Sequence, residues 1–194
     1  LKDSGYISVT SENIKLILDV GEVGPRFQPG HAHADTLSFE LSLFDKRVLV
    51  NSGVSEYAEG KLRSWQRSTC AHNTVVINDK NSSDVWGGFR VGQRAHPHNL
   101  NINVLQNNIK ITCSHDGYGK IIHKRTWFIE SKALEITDEL IRRKLYGRKS
   151  CTAVAYFYLH PEVSIQETKH NQLFLKLKTG QVITFSFYDA QEWR

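Results

Sequence analysis

The chain has 194 residues, a formal charge of +5 and a pI near 9.1. Its basic residues are scattered: the densest run is Arg142, Arg143 and Lys144, with Arg148 and Lys149 nearby, and no basic stripe with interleaved aromatics argues for nucleic acid. No apolar run approaches the roughly 18–20 residues of a membrane helix. A mild positive field does suit an acidic polysaccharide, although a plain solvated surface has the same composition. There is no Met and the sequence opens on Leu1, so it reads as a segment of a longer chain, and the lack of a leader says nothing about export. Cys70, Cys113 and Cys151 are odd in number and widely spaced; Cys113 and Cys151 sit in alternating runs and read as core thiols.

In chain order, residues 13–20 (NIKLILDV) alternate apolar and polar, the pattern of a half-buried strand. Next comes Gly30-His31-Ala32-His33-Ala34-Asp35. On a strand, His31 and His33 would share a face, roughly 7 Å apart at about 3.3 Å per residue. One could ligate a metal while the other faces a cleft; the plainer reading is two polar positions on a solvated face. Residues 37–43 (LSFELSL) alternate again, Asp45-Lys46 marks a turn, and Val48-Leu49-Val50 runs into Asn51-Ser52-Gly53. Residues 51–72 fit a β domain least well: the stretch is polar, with Tyr57, Gly60, Arg63, Trp65 and Arg67, and reads as a long functional loop.

His72-Asn73-Thr74 then enters the strand Val75-Val76-Ile77. A second irregular stretch, Ser82 to Pro97, carries Trp86, Gly87, Gly88, Phe89 and Arg90. Alternating strands follow at 101–105 and 109–113, then His115-Asp116-Gly117-Tyr118, where Asp-Gly reads as a hairpin turn. His123-x-Arg125 precedes strands at 126–130 and 133–137; Asp138 to Arg143 reads as a short helix or a strand end. Ala153–Leu159, 173–177 and 182–187 complete the set. So many short strands at hairpin spacing, with no helical periodicity over three turns, predict a mostly antiparallel β-sandwich of at least ten strands.

The order of motifs is more specific than any one of them. GHAHADTLSFEL, VLVNSG, QRSTCAHNTVVIN, NSSDVWGGFRV, HDGY and HKR together resemble the C-terminal domain of heparinase II/III-like proteins, over about residues 20–165. That resemblance implies an all-β chain, a large antiparallel β-sandwich (supersandwich) forming one domain over residues 1–194. The α/α toroid that precedes it in the family is absent here and would be its intrachain partner. It implies a bacterial, periplasmic or secreted polysaccharide lyase acting on a glycosaminoglycan such as heparin or heparan sulfate, or on alginate. Such lyases neutralise a uronate carboxylate, remove the C5 proton and protonate the O4 leaving group, work for which His and Tyr are suited.

Carried over by position, His31 resembles the family's active-site His and Tyr57 its β-domain catalytic Tyr. His33 and His72 resemble the first and last ligands of one divalent metal, Zn²⁺ in this reading. The middle ligand is usually an Asp where Asn51 stands, and an amide is a weaker ligand than a carboxylate. Arg67 could pair with a substrate carboxylate or sulfate. The remaining catalytic residues belong to the toroid, so the fragment alone is expected to be inactive. The alternative is a non-catalytic carbohydrate-binding or scaffold domain of a heparinase-like protein in capsule or exopolysaccharide biosynthesis. A third reading is a stand-alone metal-dependent enzyme, with Asp35 as the one nearby carboxylate.

Overall fold

The structure is a computed structural model that describes residues 4–142 and 150–189, so most of the basic run at 142–149 lies outside the described residues. Two compact units emerge, Leu1–Tyr158 and Leu159–Arg194. The first opens with a four-stranded antiparallel meander: β1 (Tyr6–Thr10), β2 (Ile14–Asp19), β3 (Phe39–Leu43) and β4 (Lys46–Leu49). In β2, Ile14, Leu16 and Leu18 are buried while Lys15 and Ile17 face outward, the alternation that the sequence announces. Phe44 and Asp45, both at positive φ, make the two-residue β3–β4 turn.

The chain then leaves the sheet for α1 (Lys61–Arg67) and a 3₁₀ turn at Thr69–Ala71, and returns in β5 (Val75–Ile77). Two residue pairs, β6 (Val85–Trp86) and β7 (Arg90–Val91), form a small ribbon. A second meander follows: β8 (Pro97–Leu105), β9 (Asn108–Tyr118), β10 (Ile121–Ile129) and β11 (Leu134–Arg142). β12 (Ala153–Ala155) pairs with β5. The second unit holds the three-stranded sheet β13 (Ser164–Lys169), β14 (Gln172–Lys176) and β15 (Val182–Ser186). The fold is thus an antiparallel β-sandwich, with one α-helix among the described residues.

The inner face of the second meander changes character along its length. Ile111, Trp127 and Ile129 are buried at one end; His115, His123 and Arg125 are buried at the other. Arg125 ties this meander to the first. Its guanidinium donates to the carbonyls of Leu37 (2.9 Å) and Asn73 (2.7 Å) and lies over the Phe39 ring. It also forms a two-pronged pair with Asp138, its register partner on β11.

Two expectations need correction, and one open choice is decided. Asp116-Gly117 is not the hairpin turn, because β9 runs through it and the chain reverses at Gly119-Lys120. Gly117 answers a different need: a Cβ there would sit 2.2 Å from the Ser82 carbonyl oxygen. The Asp138 to Arg143 stretch is strand as far as Arg142. And the polar stretch 51–72 contains a helix. Its buried side chains are Arg63, Gln66 and Arg67, while Leu62 and Trp65 are exposed. An apolar-face search is blind to a helix whose inner face is polar.

Candidate active and metal site

The segment Gly30–Asp35 has no strand pairing, contrary to the expectation of a shared strand face. It is held from outside. Arg67 Nε and one terminal nitrogen donate to Ala32 O (3.2 and 3.1 Å), and Ala34 N–H donates to Arg67 O (2.9 Å). Ser82 bridges Ala34 O and the Thr69 hydroxyl, joining the segment to the turn that leads into His72.

Held this way, the two histidines meet different neighbours. His31 is exposed and edges against the rings of Tyr57 and Phe89, each at 5.6 Å between centroids. Tyr57 and Phe89 stack on each other at 6.1 Å. The loop carrying Tyr57 is fixed by Gln66, whose amide takes the Ser55 N–H and donates to the Ser55 hydroxyl. Gly88 lets the neighbouring backbone close on it, since a Cβ there would lie 3.3 Å from Tyr57 O.

His33 turns instead to His72, with ring centroids 5.3 Å apart. His33, Asp35 and His72 bring one ligand atom each within 4.8 Å of one another. His72 is fully buried, and neither of its ring nitrogens finds a hydrogen-bond partner among the described residues. Burial pushes both imidazoles down to about 4, with the Arg63 and Arg67 charges adding to the effect on His33. Both are therefore neutral near pH 7, the state that ligates metal. Burial pushes the Asp35 carboxyl up, opposed chiefly by His33. One nitrogen from each imidazole and a carboxylate oxygen of Asp35 make a donor set that suits Zn²⁺. Asn51 follows Val50, whose carbonyl accepts from the amide of Asn73, the residue after His72, while Asn51 Oδ1 accepts the Gly53 N–H.

A family model described as heparinase II/III-like, C-terminal, matches residues 1–192. The chain belongs to that family. Among curated relatives, a heparin-sulfate lyase of Bacteroides stercoris is 31% identical over 116 residues, which cover 57% of this chain and 16% of the relative. Among solved structures, heparan sulfate lyase HepC from Pedobacter heparinus superposes with a TM-score of 0.74 at 19% identity, covering 98% of this chain and 28% of that one. A heparinase III structure gives 0.66 at 21% identity, over 91% and 27% of the two chains. This heparinase-like chain therefore spans less than a third of each of these three relatives.

Arg67 is not at an open rim of the heparinase-like site. It is 1% exposed, and its guanidinium makes five bonds to backbone carbonyls: two to Ala32 and one each to Trp86, Gly87 and Arg90. It clamps the Gly30–Asp35 segment to the β6–β7 ribbon, leaving no N–H for a substrate. A buried relay behind the site also escaped the sequence reading. Gly117 N–H donates to His115 Nδ1, His115 Nε2 lies 3.1 Å from His123 Nδ1, and His123 Nε2 lies 2.7 Å from Asp138. With Nδ1 of His115 accepting, its Nε2–H donates to His123, whose Nε2–H donates to Asp138. The paired arrangement is signalled in sequence only by HDGY and HKR, whose partners lie on adjacent strands.

Proposed function

We propose that this chain supplies the β-sandwich half of a lyase active site that cleaves a uronic-acid polysaccharide, heparin- or heparan-sulfate-like or alginate-like, by β-elimination. The observation that carries the reading is the exposed His31–Tyr57 pair, with His31 on a segment shared with the His33–Asp35–His72 cluster. In β-elimination the C5–H bond breaks, its electron pair forms the C4–C5 double bond, and the C4–O4 bond breaks as O4 takes up a proton. In this reading Tyr57 moves the protons, and His31 holds the uronate where its charge is met. His33, Asp35 and His72 would hold a divalent ion, with Asn51 nearby, and its positive charge would fix the segment that presents His31. The remaining groups come from the part of the polypeptide that the larger relatives possess.

The experiment uses the full-length polypeptide carrying this chain, given heparan sulfate, heparosan and alginate, with ultraviolet absorbance reporting unsaturated uronate. Absorbance should rise with at least one glycan. H31A and Y57F should each lose at least about a hundred-fold in rate, in line with loss of a positioned acid–base group. Both side chains are exposed, so folding should survive. Binding without turnover would favour the scaffold reading, to which Asn51 in place of Asp already leans.

A further inference from the structure

Arg67 is saturated, but the arginine one helical turn earlier is not. Arg63 is fully buried, and only its Nε is engaged, donating to Gly88 O at 3.2 Å. Neither terminal nitrogen finds an acceptor among the described residues. A buried guanidinium carrying four idle N–H donors is costly unless an oxyanion completes it. The charge lies against the site already described: its central carbon is 5.3 Å from the centre of the Tyr57 ring and 5.8 Å from that of Phe89. Those two rings are the ones that flank His31. They are 56% and 50% exposed, so a turn of either side chain opens a way to the guanidinium without moving the sheet.

We propose that Arg63 is an anion-binding point of the site, taking a carboxylate or sulfate of the glycan on its two free terminal nitrogens. The identity of the ligand rests on the uronan reading above; the anion site itself does not. The planar fork matches two oxygens of one group, and the aromatic walls exclude water around the pair. A glycan anion held there is delivered next to Tyr57 and His31. The helix supports this division of labour, because Arg67 fixes the frame and leaves Arg63 as the unpaired charge on the same inner face.

The test compares wild type, R63M and R63K in the full-length polypeptide, by calorimetric titration with heparosan hexasaccharide (carboxylates only) and heparin hexasaccharide (carboxylates and sulfates). R63M should weaken binding by about ten-fold or more, the size expected for losing a charge-assisted pair. R63K, which keeps the charge and loses the fork, should fall between. Loss on both glycans identifies the carboxylate, and loss on heparin alone identifies the sulfate. Without glycan, R63M should melt close to wild type, because losing the Gly88 bond and the ring contacts is offset by removing two unsatisfied buried nitrogens. Unchanged affinity in R63M overturns the proposal, as does a lower melting point with affinity falling only in step with unfolding. If neither glycan binds, the uronan reading fails by itself. The anion site is then judged on sodium sulfate, which must raise the wild-type melting point more than that of R63M; equal rises overturn it.

Discussion

Replacing Arg125 with Met tests the side chain that ties the second meander to the first. Arg125 is fully buried, and Asp138 opposite it is 21% exposed. Met keeps most of the side-chain volume, so the cavity is small and the loss is mainly polar. The substitution removes both donors to the Asp138 carboxylate, at 2.7 and 2.9 Å, and those to Leu37 O and Asn73 O. Stripping one member from a buried pair costs about 3–5 kcal/mol. Each orphaned carbonyl adds about 1–3 kcal/mol. One guanidinium serves all of these groups, so the costs overlap, and a total of about 5 kcal/mol is expected. Urea unfolding followed by tryptophan fluorescence, including that of the fully buried Trp127, reads this as a large drop in midpoint at unchanged slope. The control is R47M, which breaks the Arg47–Glu40 pair, 56% and 37% exposed. That pair is worth about 0–1 kcal/mol. Were R125M to cost no more than R47M, the claim that Arg125 joins the two meanders would be wrong. R125M/D138L should recover part of the loss, because it removes the stranded carboxylate as well.

The buried relay makes the fold acid-sensitive. Folded His115 and His123 are held below the usual imidazole range mainly by burial, and the Arg125 charge holds Asp138 below the usual carboxylate range against the desolvation that opposes it. Groups depressed on folding add stability above their unfolded values and lose it as pH falls, so stability should decline from about pH 6.5 and again below about pH 4. A urea midpoint flat from pH 7 to pH 4 would contradict this. For the metal, competition with a chromophoric chelator should show Zn²⁺ binding that is lost in H72A, weakened in D35N and strengthened in N51D, since a carboxylate adds charge the amide lacks; D35N with wild-type affinity would remove Asp35 from the ligand set. G117A should cost about 1–3 kcal/mol, because its Cβ would strike Ser82 O and Ala95 in a packed interior, and a melt unchanged from wild type would sink that account.

Strand content was legible because alternation is a local property. Ile14, Leu16 and Leu18 announce β2 without knowledge of anything else in the chain. The order of the GHAHAD and AHNTV motifs placed His33 and His72 in one cluster although 38 positions separate them. What escaped was everything that depends on which polar group faces inward. Arg63 and Arg67 look alike in sequence, yet one is saturated by carbonyls and the other is not. Helix α1 buries its polar face, so its periodicity points the wrong way. The relay needs Asp138, fifteen residues beyond His123 in the chain, which only the β10–β11 register brings alongside.

Asn73 has a consequence for how such a site can change over evolutionary time. Its amide donates to Phe39 O and Val50 O, and its oxygen accepts the Tyr158 N–H, whose own carbonyl takes the Val50 N–H. Residue 50 and residue 73 are therefore pinned together, and everything between them, Tyr57 and Arg63 included, hangs from a closed clasp. Lengthening a loop whose ends are already fixed costs only about 0.6 kcal/mol per doubling. Insertions or deletions between those ends could reshape the glycan-facing surface while the scaffold behind it stays in register. The clasp confines such variation to the exposed first part of the stretch, residues 52–59, because Arg67 and Thr69 bind the rest to the segments around it.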